Sequence, residues 1–207
     1  MNYRAPLSDM KFMLENVVDY NNLSCTNHFE DTSLETTSAI LNEAAKLAEE
    51  VLSPLQRVGD LNPATLENGV VRTSPGFSEG YKAIAEGGWI GVAANPKYGG
   101  MGLPLTIQTC VNEMVNGACL SLSLNPLMSQ GQIDALQHHA DDKIKSLYLP
   151  KLISGEWSGT MNLTEPQAGS DVGALTSKAI NIDDGCYAIT GQKIYISWGD
   201  NDFTENV

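Results

Sequence analysis

The chain has 207 residues, 42% of them hydrophobic and 18% charged, with a formal net charge of −13. Those proportions describe a soluble globular protein with a real core, not a disordered chain, and without a Lys/Arg stripe they exclude nucleic acid and disfavour an anionic membrane surface. A small anionic ligand stays open, because backbone N–H groups can hold one locally whatever the net charge.

The opening "MNYRAPLSDMKFMLENVVDY" does not read as a signal peptide, since Asp9, Lys11 and Glu15 interrupt any apolar run. No stretch approaches the length of a membrane span, and a cytoplasmic location is expected. Within this stretch Ser8 is placed to cap a short helix with Met10, Met13, Leu14, Val17 and Val18 at helical spacing. Thr32 and Glu35 then have capping-box spacing before a broad apolar stripe of Ile40, Ala44, Leu47 and Val51, flanked by Leu41, Ala45, Ala48 and Leu52. Pro54 is predicted to end that helix, because proline lacks the N–H and crowds the preceding turn.

A turn-rich connection follows, with Asn68-Gly69 its strongest turn signal. Phe77, Tyr81 and Ile84 begin the next helix and Gly87-Gly88 stops it. "LTIQTCVNEMVNGACLSLSL" predicts a buried helix, interrupted at Asn125-Pro126 and resumed through Ile133 and Leu136. "DDKIKSLYLPKLISGEW" places two acids in a first turn, as the helix dipole favours, and is expected to close at Pro150 and Gly155.

From Trp157 the period changes. "WSGTMNLT", "SKAINI" and "CYAITGQKIYIS" are short, rich in β-branched and aromatic residues, and separated by Gly, Pro and Asp. Asp183-Asp184-Gly185 resembles a hairpin turn. The fold class expected is therefore α+β: an N-terminal all-α domain followed by the start of an antiparallel β-domain. Segments 1–34, 35–156 and 157–207 are expected to be an extension, the helical domain and an incomplete β-domain. Three strands leave a long unpaired edge, so the chain, ending at Val207, reads as the N-terminal portion of something larger.

Several residue groups could carry chemistry. Tyr98 to Gly102 is Gly-rich but lacks the strand and Lys-Ser/Thr context of a phosphate loop, so an interhelical loop is expected. His138-His139 are adjacent, point in different directions on a helix and have no third ligand nearby. Cys25 and His28 could pair as nucleophile and base, with nothing to orient them. Cys25, Cys110, Cys119 and Cys186 show no paired spacing, which suits buried free thiols in a reducing cytoplasm. Glu165 and Asp171 could be the acid and base of a carboxylate hydrolase. Pro166 and Gly169-Ser170 beside them favour structural, turn-shaping roles instead.

A more complementary set lies around "MNLTEPQAGSDVG". Thr164 offers a hydroxyl and backbone groups at a strand end, while Gly169-Ser170 permits close backbone approach and adds a hydroxyl suited to a phosphate oxygen. Further on, "KIYIS" puts Tyr195 and Ser197 on one face of a predicted strand. Such a pair could pack on a planar heteroaromatic ring and hydrogen-bond its edge. It could equally be a core tyrosine beside a solvated serine, and the residues alone leave both readings open.

"LTEPQAGSDVGALTSKA" followed by "YAITGQKIYISWGDND" resembles the middle-domain signature of the acyl-CoA dehydrogenases. "GGWIGVAANPKYGGMGLP" and "DDKIKSLYLPKLISGEWSGTMNLTEP" are similar to that family's helical N-terminal domain, and "YRAPLSDMKFMLENVVDY" resembles the extra first segment of one branch. The resemblance covers nearly the whole chain and implies FAD-dependent α,β-dehydrogenation of an acyl-CoA thioester, with α-proton abstraction and β-hydride transfer to flavin N5. It implies that Met161, Asn162, Leu163 and Thr164 run alongside the flavin. Gly169 and Ser170 would lie near its pyrophosphate, and Ser170 also near the CoA-bearing substrate. Tyr195 and Ile196 would pack at the isoalloxazine ring, with Ser197 near N5. Tyr195 and Ser197 stand where Trp and Thr are commoner, and Asn162 and Trp198 depart from the smaller residues usual there. The base in that family is a glutamate of a C-terminal helical domain, so the resemblance implies a base beyond Val207 and assigns no catalytic residue within 1–207. It further implies electron-transfer flavoprotein or a similar acceptor and a homo-oligomer. An acyl-CoA oxidase of the same fold and a non-catalytic acyl-CoA-binding relative are the neighbouring alternatives.

Overall fold

Helix formation follows the apolar stripes, and the computed structural model describes residues 3–26, 29, 32–183 and 185–207. α1 (Leu7–Asn16) buries Met10 and Leu14, while Met13, Val17 and Val18 stay exposed; Ser8 lies inside this helix and makes no cap. α2 (Tyr20–Ser24) is a single turn. α3 (Leu34–Lys46) starts at Ser33, one residue after the threonine expected to cap it, and the Ser33 hydroxyl accepts from the Thr36 N–H at 3.2 Å.

Pro54 does not end this helical run. Residues Leu47–Leu52 widen into a π-helix, and α4 (Ser53–Leu61) continues with Pro54 in its first turn. The wider turn accommodates a residue that can neither donate to an α-type bond nor tolerate the preceding carbonyl close by. The stripe stays coherent through it, burying Leu41, Ala44, Ala45, Ala48 and Leu52.

Asn68-Gly69 is the turn of a small hairpin of β1 (Thr65–Glu67) and β2 (Val70–Arg72), with both turn residues at positive φ as a two-residue hairpin requires. α5 (Phe77–Glu86) ends at Gly87 as expected. α6 (Leu105–His139) is the central helix, packing against α3, α4 and α5 and against α7 (Asp142–Ser154). Its break falls at Cys119 (φ −154°, ψ 83°) and not at Asn125-Pro126, which stay buried inside the helix. Near the break the Ser123 hydroxyl lies 2.6 Å from Asn116 Oδ1 and 2.9 Å from the Leu120 carbonyl, with its single proton shared between these two acceptors. α7 likewise runs through Pro150 and closes only at Gly155, which adopts the left-handed conformation of a helix stop.

The β-half is less regular than its alternation suggests. β3 (Lys178–Asp183) and β4 (Cys186–Thr190) pair antiparallel, with a bulge between Asn181 and Asp183; Asp184 of the expected turn lies outside the described residues. Neither 157–164 nor 192–197 forms a regular strand. Gly191, Tyr195 and Trp198 all take positive φ, which breaks the two-residue repeat. The segment from Trp198 to Val207 folds back onto the helices instead of continuing a sheet. Phe203 packs on Tyr81 with ring centroids 4.7 Å apart, Thr73 donates to Asp202 at 2.6 Å, and the Ser158 N–H donates to the Asn206 carbonyl at 3.0 Å. No described helix is long and apolar enough to cross a membrane.

Leu122 is completely buried on α6 beside Gly80 of α5. Leu122→Ala is expected to lower unfolding stability by about 3 kcal/mol, the usual size for an internal leucine truncation, read as a shift of the urea midpoint.

Candidate functional site

Glu165 is 2% exposed, and an ionised carboxylate so deep must be fully bonded. It is. Oε1 accepts from Lys193 Nζ at 2.8 Å and from the Ser177 N–H at 3.1 Å. Oε2 accepts from Gln167 Nε2 at 2.7 Å, the Thr176 N–H at 2.8 Å and the Thr176 hydroxyl at 2.9 Å. The backbone closes a turn over Pro166-Gln167, with reciprocal Glu165–Ala168 bonds of 2.9 and 3.0 Å. The Lys193 ammonium above all, then the Ser177 and Thr176 donors, holds the Glu165 carboxyl far below the ordinary carboxylate range.

Lys193 makes a second bond, to the Leu163 carbonyl at 3.0 Å. The Ile194 N–H donates to the Thr164 carbonyl at 3.0 Å, and the Thr160 hydroxyl donates to the Ser197 carbonyl at 2.6 Å. Segments 160–165 and 193–197 therefore run antiparallel, side by side, although they form no continuous ladder. Met161, Asn162, Leu163, Ile196 and Ser197 are exposed, and Thr164 is half-buried. Tyr195 is 88% exposed with φ 55°, so the even-odd rule that would put it on one strand face with Ser197 does not apply. It is not a core tyrosine.

Among the described residues, the backbone N–H groups of Met161, Asn162, Leu163, Tyr195 and Ile196 make no hydrogen bond, and neither do the hydroxyls of Thr164 and Ser197. Gly169 and Ser170 follow the Glu165 turn and are exposed, with no hydrogen bond to 195–197. A Cβ at Gly169 would meet nothing within 4 Å, so this chain's own packing does not demand a glycine there. Ile196 and Ser197 also line a cleft of about 450 Å³, walled by Leu124, Trp198, Val71 and Ala64.

The remaining candidates have other occupations. Asp171 accepts from the Gly173 N–H at 3.1 Å, a local turn bond. His138 Nδ1 lies 3.3 Å from Asp134 Oδ1 one turn earlier, and among the described residues no cluster has the makings of a metal site. Cys25 and Cys186 are exposed, Cys110 is half-buried and Cys119 alone of the four is buried, so the expected buried thiols hold only there; His28 lies outside the described residues. Gly100 packs so closely on Ala94 that a Cβ would fall 2.0 Å from the Ala94 carbonyl oxygen, which accounts for a glycine in the Tyr98–Gly102 loop. Sequence reasoning missed Lys193. Its trace is indirect: a buried Glu before Pro needs a cation, and only Lys178 and Lys193 follow Lys151.

A model of the acyl-CoA dehydrogenase N-terminal domain matches residues 35–156. 3-Methylmercaptopropionyl-CoA dehydrogenase of Ruegeria pomeroyi is 40% identical over 207 residues, covering 100% of this chain and 35% of the relative. A butyryl-CoA dehydrogenase of Syntrophomonas wolfei is 33% identical over 211 residues, covering 100% and 34%. The chain thus spans about a third of the length of the curated relatives it matches. The solved butyryl-CoA dehydrogenase of Megasphaera elsdenii superposes with a TM-score of 0.65 at 22% identity, over 79% of this chain and 41% of that one. The acyl-CoA dehydrogenase of Geobacillus kaustophilus gives 0.66 at 22%, over 80% and 40%. These two likenesses are of fold.

Because the folded Glu165 pKa lies below its unfolded value of about 4.3, its stabilisation is fully present above that value and fades as pH falls through and below it. Glu165→Gln is expected to lower the melting temperature at pH 7 and to flatten its decline between about pH 5 and pH 3, checked by thermal melts across that range. Equal melting of both proteins at neutral pH would contradict a structural role for the carboxylate.

Proposed function

We propose that this chain, which belongs to the acyl-CoA dehydrogenase family through its N-terminal domain, supplies the flavin-facing part of an FAD-dependent acyl-CoA dehydrogenase. One observation supports this reading above the rest: two adjacent segments present unpaired N–H groups, two unpaired hydroxyls and an exposed aromatic ring on a firmly anchored scaffold. That donor set fits the pyrimidine edge of an isoalloxazine, which offers carbonyl oxygens and ring nitrogens along one side. In this reading Met161, Asn162, Leu163 and Thr164 meet that edge, Tyr195 and Ile196 lie against the ring, and Ser197 reaches toward N5. Gly169 and Ser170 receive the pyrophosphate, with Ser170 also near the CoA portion of the substrate. Bound flavin would supply the two-electron acceptor for a hydride leaving the substrate β-carbon.

The substrate class follows from the relatives, whose names specify 3-methylmercaptopropionyl-CoA and butyryl-CoA; both are acyl-CoA thioesters. Glu165 is not the base that takes the α-proton, because its carboxylate is consumed by Lys193 and the Thr176–Ser177 backbone. Asp171 is tied to its own turn. The base is expected where the family resemblance implies it, a glutamate of a C-terminal helical domain, in the part of the relatives' length that this chain does not span. Electron-transfer flavoprotein or a similar acceptor is the oxidant of the reduced flavin, and a homo-oligomer is the working form. In this reading 1–34 is an extension, 35–156 the helical domain and 157–207 the first part of a β-domain.

Each neutral hydrogen bond to the flavin contributes about 1 kcal/mol net, and association costs several times that. The 207-residue chain is therefore expected to bind FAD weakly, to lose the flavin on gel filtration and to show no turnover. Thr164→Ala is expected to shift the flavin absorption envelope and weaken binding about fivefold, followed by FAD titration. A wild-type chain that gives no saturable FAD signal would overturn the flavin reading; a stoichiometric yellow complex surviving gel filtration would overturn the claim of weak binding.

A further inference from the structure

We propose that Lys193 and Trp198 are positioning residues, a two-ended clamp that holds Tyr195, Ile196 and Ser197 in the conformation that meets the flavin. The proposal rests on the flavin reading above. Tyr195 stands at φ 55°, a left-handed conformation that a bulky L-residue rarely adopts unless its surroundings impose it. Its ring is almost wholly exposed, so packing around the side chain does not impose it. Among the described residues, neither its own N–H nor that of Ile196 makes a hydrogen bond. The constraint has to come from the two flanks.

On the leading flank, Lys193 Nζ is shared between the Leu163 carbonyl at 3.0 Å and Glu165 Oε1 at 2.8 Å. The next residue, Ile194, donates its N–H to the Thr164 carbonyl at 3.0 Å. The ammonium thus ties the incoming strand to the Glu165 turn at both its backbone and its buried charge. On the trailing flank, Trp198 is itself left-handed, at φ 53°. Its indole N–H donates to the Ser121 carbonyl at 3.0 Å, just past the bend in α6 at Cys119. Its ring packs on Phe77 of α5, with centroids 6.3 Å apart, and on Phe203, 5.5 Å apart. The Ser197 carbonyl between them is held by the Thr160 hydroxyl. One end of the loop is fastened to the β-half and the other to the helical half, leaving the exposed residues between with a single course to follow. The size of Trp198 thereby acquires a reason: it spans to the helices, where a small side chain would not reach.

The test uses the isotope-labelled 207-residue chain carrying Lys193→Met, Lys193→Arg or Trp198→Phe. Backbone chemical shifts of Tyr195 report its left-handed φ, amide exchange at Ile194 reports the leading flank, and exchange within 105–118 of α6 reports the general fold. FAD is the binding probe, titrated by fluorescence anisotropy. Lys193→Met is expected to speed Ile194 exchange by about tenfold or more, to erase the left-handed shifts of Tyr195 and to weaken FAD binding about tenfold, with 105–118 unchanged. Lys193→Arg keeps a cation and N–H donors and is expected to stay within about threefold of wild type on each measure. Trp198→Phe keeps a ring but loses the N–H, and is expected to move the Tyr195 shifts while sparing Ile194. Unchanged Tyr195 shifts in both Lys193→Met and Trp198→Phe would overturn the clamp. So would disturbance spread equally through 105–118, or altered shifts with unaltered FAD affinity. Absence of FAD binding by the wild type would sink the flavin reading alone, while the shift and exchange comparison still decides whether the clamp exists.

Discussion

A buried carboxylate with no partner would neutralise or drag water inward; Glu165 does neither because five donors surround it. Those donors come from three separate stretches: its own turn, the lead-in to β3, and Lys193. Satisfying one charge therefore fixes the mutual placement of segments that share no continuous ladder. The exposed face made by 161–164 and 195–197 inherits its geometry from this interaction, although Glu165 itself lies behind that face. A glutamine of the same shape would donate where it should accept and would give Lys193 no charge to answer.

The helical half is largely legible from the residues, because periodicity is a local property. Of the predicted stripe Ala44 and Leu47 are buried with flanking Leu41, Ala45, Ala48 and Leu52, while Ile40 is half-buried and Val51 exposed; Asn68-Gly69 and Gly155 make their turn and stop. The errors cluster at prolines. Pro54, Pro126 and Pro150 each predict an interruption, and each lies within a helical run. A proline's missing N–H and steric demand are real, yet at Pro54 a π-helical widening absorbs them. In α6 the bend moves to Cys119, close to where Tyr3 packs so tightly on Gly117 that a Cβ there would meet its ring. Such a contact is invisible along a linear sequence.

In the β-half the residue types suggest strands, but side-chain bonds win over ladder pairing. Thr160 and Lys193 reach to carbonyls that a neighbouring strand would otherwise serve. The adjacency of the two site segments is legible; their conformation is not, since the positive φ at Tyr195 and Trp198 lies between contacts to residues 28 to 77 positions away. Lys193 escapes notice for the same reason. Its meaning depends on Glu165, and nothing in "GQKIYIS" taken alone points there.

Exposure at this site has a physical logic that runs against ordinary folding. Tyr195 sits in a strained backbone with its ring in solvent, an arrangement that costs stability and returns nothing within the chain, while the unpaired N–H groups nearby stay open to solvent. Such costs persist only where the surroundings enforce them. Here the enforcing groups, Glu165 with Lys193 on one side and Trp198 with Ser121 on the other, are themselves well satisfied. A loop fixed in advance has less freedom to lose when a planar ligand arrives, so each hydrogen bond it offers counts for more in binding. The polar anchor behind the face and the unsatisfied groups on it are therefore two halves of one arrangement: rigidity is secured where no ligand reaches, and bonding capacity is kept where one can.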